Sequence, residues 1–369
     1  MNVYKSREFR ITRMLLSRRK AVTTTTTIAV VVIVLIAGVG VTYFALNSSA
    51  TPTQTTTTAT YKVFRILMFT TTPATTSWGA EITRGLNQAV SALNNTNGYT
   101  LKTTTAFNIA YGDAQSFMQS YAQQGYNLIM AQDVGYAGSV AAVAAQFPNV
   151  QFWGPTFGDI VTANLGAWSI DHWKGEYMAG VVAGLMTTTN KIGFVTAFEY
   201  SQTIEAINVF RAGAKLVNPN VHIYYAFAGS WSDSVKGSSA AASVAASGAD
   251  VIATFGDGMA DGAVAGAKQA GAFAIGYLHD ANSLAPQTIL TSVLLNSTAY
   301  YVKAIVAAES FQLGFKNFIL DIYPDHVTYL TQLYNVPADK ATQANTFIQK
   351  IASGQLVPPE NTTAPSQGY

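Results

Sequence analysis

Three short runs of this sequence set an aromatic ring or a flexible glycine beside a group that makes directional hydrogen bonds. Asp257 stands in FGDGMADG (Phe255 to Gly262), Trp231 and Asp233 in GSWSD (Gly229 to Asp233), and Ser77 and Trp78 in TSWG (Thr76 to Gly79). The last follows a hydroxyl-rich loop holding Thr70, Thr71, Thr72, Thr75 and Thr76. Aromatic faces with a few carboxylates and hydroxyls suit the binding of a flat, uncharged molecule. The chain contains no cysteine, which excludes disulfide frameworks, thiol nucleophiles and thiolate metal centres. Its four histidines, His172, His222, His279 and His326, show no metal-ligand spacing, so no metal or other cofactor is expected. No GxSxG elbow or phosphate loop occurs, and the run Gly256 to Gly262 lacks a lysine and carries two carboxylates that would repel a phosphate. Each candidate has a plainer reading. Asp257 is placed to cap a helix starting at Gly258, Asp233 reads better as a cap than as a contact, and Trp78 could pack on the rim of a sheet.

Elements that could position these residues alternate between strands and helices from Tyr61 onward, the pattern of a parallel α/β architecture. Strands are expected at Lys62 to Phe69, Lys102 to Ala110, Asn127 to Ala131, Val150 to Trp153, Ile192 to Ala197, His222 to Ala228, Asp250 to Phe255, Phe273 to Tyr277 and Ile289 to Leu295. Helices are expected at Trp78 to Leu93, Asp113 to Gln124, Trp173 to Thr187, Thr203 to Val217, Ser234 to Ser247 and Gly258 to Ala270. Asp113 and Ser234 occupy N-cap positions, and Gly125 and Gly248 sit where helices stop. Two such blocks, divided near residue 190, make a two-lobed body. Ligands of such sheets bind at the carboxyl ends of the strands, here facing a cleft between the lobes.

The formal net charge of +2 hides an asymmetry. Residues 1–20 carry seven basic groups against one acidic, or +6, which leaves −4 for the remainder. An uncharged apolar run of 19 residues follows, Ile28 to Leu46, about the length of a bilayer-spanning helix. Positive charge on its N-terminal side predicts a basic cytoplasmic tail (1–27), a transmembrane anchor (28–46) and a body outside the cell membrane. Cleavage after the run is the competing reading. Residues 47–60 form a Thr-rich stalk, and Asn47, Asn94, Asn296 and Asn361 begin glycosylation sequons. The basic tail reads as a topogenic signal, and no nucleic-acid partner is expected.

NKIGFVTAF (Asn190 to Phe198), INVFRAGAKLVNPNV (Ile207 to Val221), SGADVI (Ser247 to Ile252), AIGY (Ala274 to Tyr277) and LTSVLLNSTAYYVK (Leu290 to Lys303) carry a family resemblance. EYMAGVVAGLMT (Glu176 to Thr187), GSWSD and TSWG add to it. In order and spacing the chain, from Tyr61 to about Ile319, resembles the basic membrane protein (BMP) family, substrate-binding proteins of ABC importers that include purine nucleoside receptors. The resemblance implies a binding protein without enzymatic activity and a type I periplasmic-binding-protein fold, two Rossmann-like lobes with a hinge. Lobe 1 would comprise 61–189 plus 272–315 and lobe 2 190–271 plus 316–369, with crossovers near Thr189, Ala272 and Phe315. It implies a purine base or nucleoside as ligand, with an ABC permease and ATPase as partners. Trp78, Ser77, Asp257 and Trp231 would meet the ligand, with Trp173 a further candidate. Phe210 matches the relatives' base-stacking aromatic, although its place on an apolar stripe with Ile204 and Ile207 reads equally as core, and Asp280 matches an acidic family position. Leu278 and Leu295 stand where nucleoside-binding relatives hold ribose hydroxyls with Asp and Lys. Each hydroxyl left unmet costs roughly 1–3 kcal/mol, which favours a free base. A sensory receptor, or a surface structural protein that kept the fold, are the alternatives.

Overall fold

Four successive residues, Ile66 to Phe69, are all buried, which a strand permits only when both of its faces are covered. In the computed structural model, which describes residues 61–155, 162–170, 173–314, 317–320, 328–359 and 363–368, they end strand β1 (Lys62–Phe69). The chain continues through α1 (Ser77–Leu93), β2 (Tyr99–Ala106), α2 (Ala114–Gln123), β3 (Leu128–Ala131), α3 (Ala137–Gln146), β4 (Gln151–Gly154) and β5 (Leu165–Ile170). Next come α4 (Trp173–Met186), β6 (Lys191–Thr196), α5 (Ser201–Val217), β7 (His222–Phe227), α6 (Ser234–Ala246), β8 (Val251–Phe255), α7 (Gly258–Gln269), β9 (Phe273–Tyr277) and β10 (Ile289–Leu295). Helix α8 (Thr298–Glu309), β11 (Asn317–Leu320), β12 (Thr328–Leu330) and α9 (Ala338–Ala352) complete the described elements.

Two six-stranded sheets result, ordered β11-β5-β4-β3-β1-β2 and β12-β10-β9-β8-β6-β7. Their pairs are parallel, apart from the antiparallel β10–β12 pair. In each sheet the order reverses beside the first strand, between β1 and β3 and between β6 and β8. Such a reversal opens a crevice at the carboxyl ends of the strands.

The lobes divide differently from the expectation. Strands β9 and β10 extend the second sheet by pairing from β8 onward, so 272–295 does not belong with lobe 1. Helix α4 also joins the second lobe. A Cβ on Gly180 would lie 2.0 Å from the Phe210 carbonyl oxygen, and one on Gly213 2.1 Å from that of Tyr177, so α4 and α5 pack backbone to backbone where only glycine fits. Asp250, just before β8, fastens the end of α4 by accepting hydrogen bonds from Thr187 Oγ1, from Thr188 N and Oγ1, and from Thr189 N. The crossovers therefore fall between β5 and α4, between β10 and α8, and between β11 and β12.

Several elements escaped the sequence reading. Helix α3 reads AGSVAAVAAQ, with alanine on most faces and little apolar contrast, while β11 and β12 are only four and three residues long. Helices α8 and α9 and strand β5 were likewise not anticipated. Asp113 stands at the N-cap of α2 without a side-chain cap bond, and α6 is capped by Asp233 in place of Ser234, through Val235 N and Lys236 N. Gly125 (φ 79°) and Gly248 (φ 95°) end their helices in the left-handed region, as expected. Among the described residues no helix is long and apolar enough to cross a membrane; Ile28 to Leu46 lies outside them.

Candidate ligand-binding site

The carboxyl ends of β1 and β3 from the first sheet meet those of β8 and β9 from the second around a cavity of about 110 Å³. Thr71 and Thr72 follow β1, and Gln132 to Val134 follow β3. Phe255 to Asp257 end β8, and Tyr277 and Leu278 end β9. Trp78 on α1, Tyr111 after β2, Trp231 after β7 and Gln202 on α5 close the sides.

The aromatic members brace one another. Phe255 tilts against Tyr277 (ring centroids 4.6 Å apart), and Trp231 stands edge-on to Phe255 (6.4 Å) and Phe198 (5.9 Å). The Trp231 carbonyl accepts both Asp257 N and Met259 N, which ties the GSWSD loop to the start of α7.

Asp257 is 4% exposed and holds the N-cap position of α7 without capping it. Its Oδ1 accepts the backbone N–H of Trp78 at 2.9 Å, a bond from the second lobe to the first, and its Oδ2 is buried with no partner. Burial raises its pKa, an effect countered in part by the hydrogen bond from Trp78. Asp133 faces it from the first sheet. Its Oδ2 accepts Thr70 Oγ1 (2.9 Å) and Thr71 N (2.7 Å), and burial raises its pKa as well. Gln132 is 1% exposed; its Oε1 accepts the Tyr301 hydroxyl at 2.9 Å, and its Nε2 has no partner. At the mouth, His279 Nδ1 meets Ser77 Oγ at 3.1 Å while Nε2 lies 3.4 Å from Asp261 Oδ1.

Of the expected site residues, Trp78, Trp231 and Asp257 line the cavity; Ser77, next to Trp78, does not line it and pairs with His279. Phe210 does not approach it. This residue is fully buried on α5 against Phe194 (5.3 Å), the core alternative that its apolar stripe allowed. Asp280 also lies elsewhere, exposed, accepting from Asn282 N and from the Tyr334 hydroxyl. Trp173 opens α4 and packs toward Tyr177, Met178 and Ile351. Leu278 does line the cavity, with φ 67°, whereas Leu295 is buried in the core. Gln132 and Asp133 were not among the expected site residues. Their signal was available, because QDVG continues directly from the buried strand LIMA, at the strand end where ligands bind. Among the described residues no group of three or more His, Asp or Glu could hold a metal ion.

This geometry matches a known family. A family model described as ABC transporter substrate-binding protein PnrA-like, Bmp, matches residues 66–361. The chain belongs to the Bmp family. It is thus a substrate-binding protein of the ABC-transporter type and not an enzyme. A purine-binding protein of Brucella abortus is 28% identical over 294 residues, covering 78% of this chain and 80% of its own. A putative ABC transporter glucose-binding protein of Haloferax volcanii is 30% identical over 193 residues, 52% of this chain and 49% of its own. The crystal structure of an ABC transporter solute-binding protein from Aeropyrum pernix superposes with a TM-score of 0.67 at 16% identity, over 81% of this chain and 94% of that one. The fold of this Bmp protein is accordingly the two-lobed, periplasmic-binding-protein-like α/β fold.

Proposed function

We propose that this Bmp protein captures a flat neutral heteroaromatic, a purine base in preference to a nucleoside, outside the cytoplasm and delivers it to an ABC import permease with its ATPase. One observation carries the reading. A cavity walled by Trp78, Trp231, Phe255 and Tyr277 holds a buried carboxylate oxygen, Asp257 Oδ2, that has no protein partner. Such an acceptor is costly to leave unmet, and an N–H of a bound base satisfies it. A surface protein that had lost its ligand would have no use for that cost. The Brucella relative supports a purine. Leu278 supports the free base, since a ribose hydroxyl against it loses its hydrogen bond.

Binding works by closure. Trp78 belongs to one lobe and Asp257 to the other, so a ligand between them is fully held only when the lobes meet, and its differential affinity shifts the open–closed balance. In this reading Ile28 to Leu46 anchors the receptor, the stalk holds it off the membrane, and exposed Asn94 is a glycan site; Asn47 and Asn361 lie outside the described residues. A thermal-shift screen of the full-length chain against purine bases, nucleosides, glucose and amino acids tests it. Purine bases should raise the melting temperature most. A rise with glucose alone, the ligand named for the Haloferax relative, would overturn the assignment.

A further inference from the structure

Gln132 carries information about the ligand that the family does not supply. Its carbonyl Oε1 is engaged by two buried phenols, Tyr301 at 2.9 Å and Tyr300 at 3.4 Å, which lie 169 and 168 residues further along the chain on α8. Burial keeps both phenols protonated, so they act as donors. Their rings are held in turn by Trp153, with centroids 5.0 Å and 5.8 Å away. Flipping the amide would replace the carbonyl acceptor shared by the two hydroxyls with an NH₂ group, and each hydroxyl would then accept and turn its own proton elsewhere. Tyr301 also reaches the neighbouring Tyr300 hydroxyl and Met68 Sδ at 3.0 Å, the latter a weak acceptor. The shared carbonyl favours this orientation of the amide, with Nε2 as the group lacking a protein partner on a residue that lines the cavity.

We propose that Gln132 is the specificity-determining donor of this cleft, oriented by Tyr300 and Tyr301. A ligand must then present a ring-nitrogen or carbonyl acceptor to the first sheet and an N–H donor to Asp257 on the second. The inference rests on the purine reading and deepens it. The amidine edge of a 6-aminopurine and the lactam edge of a 6-oxopurine both place a donor beside an acceptor. An edge of acceptors alone would set lone pairs against Asp257 Oδ2, and a sugar lacks the flat faces that Trp78 and Trp231 call for.

Adenine and its 1-, 3- and 7-deaza analogues, each lacking one ring acceptor, test this by calorimetry on the full-length chain. One analogue should bind the unaltered protein about tenfold more weakly than adenine, as expected for one lost hydrogen bond. In Gln132→Ala, adenine itself should lose about tenfold, and that analogue should lose nothing further, because the bond it lacks is already gone. Gln132→Glu keeps an acceptor for both phenols while removing the amide donor; at a pH where its carboxyl is ionised it should weaken adenine binding at least as much as Gln132→Ala, and protonation at lower pH should restore a donor. Tyr301→Phe should narrow the gap between adenine and the sensitive analogue by freeing the amide to flip. Full adenine affinity in Gln132→Glu with its carboxyl ionised, or losses from analogue and substitution that multiply, would overturn the role of Gln132 while leaving the purine reading intact. An unaltered chain that binds no purine would overturn the functional reading, and the ligand class stated here with it.

Discussion

Asp133 on the first sheet and Asp257 on the second are carboxylates at strand ends in one cavity, the first half-buried and the second buried, and their partners differ. The identified partners of Asp133 Oδ2, Thr70 Oγ1 and Thr71 N, belong to its own lobe, so those bonds persist whether the cleft is open or shut. Asp257 takes its hydrogen bond from Trp78 across the cleft and leaves Oδ2 unmet. The first arrangement shapes a loop; the second makes a group that is satisfied only by closure and by ligand. Aromatic residues divide in the same way, with Phe210 locked inside the second lobe and Trp78 placed where the lobes meet.

If that division holds, substitutions should separate stability from affinity. Phe210→Ala should destabilise the fold by about 3–5 kcal/mol in denaturant titrations while changing ligand affinity little. Asp257→Ala should do the opposite, lowering affinity by about 100-fold with little loss of stability, since it removes a buried, half-satisfied carboxylate. Asp133→Ala, which strands the Thr71 N–H, should cost about 1–3 kcal/mol of stability and less than tenfold in affinity. An Asp133 variant that loses more affinity than the Asp257 variant would erase the distinction.

The smallest effect is in pH. Burial raises both carboxyl groups above their unfolded value of about 4. A group whose folded pKa is raised holds its proton more tightly in the native state. Its contribution to stability is therefore present below pH 4 and is lost as pH rises through the folded value. Asp257→Asn removes that loss. Its melting temperature relative to the unaltered chain should accordingly rise between pH 4 and pH 7, which differential scanning calorimetry would detect.

Where sequence signals were local, they located structure well. The strands Lys62 to Phe69, Phe273 to Tyr277 and Ile289 to Leu295 form within their expected limits, because short, mainly apolar runs bounded by polar or glycine-bearing turns leave few alternatives. Trp78, Trp231 and Asp257 were legible because each stands at or beside an element end next to a short polar or glycine-bearing loop. The lobe boundary was not. It depends on Gly180 and Gly213 meeting backbone that lies some thirty residues away in sequence, a contact that neither helix records in its own periodicity. Phe210 shows the converse: one apolar stripe serves a core and a ligand wall equally, and only the observed packing decides between them. Gln132, by contrast, went unremarked in the sequence. Its meaning arrives with two tyrosines at the far end of the chain.

Calorimetric titration of adenine and hypoxanthine into the full-length chain and into Asp257→Ala tests the central claim most directly. The cleft described here predicts one binding event per chain in the unaltered protein and an affinity about 100-fold lower once the carboxylate is gone. Equal affinity in the two proteins would contradict it.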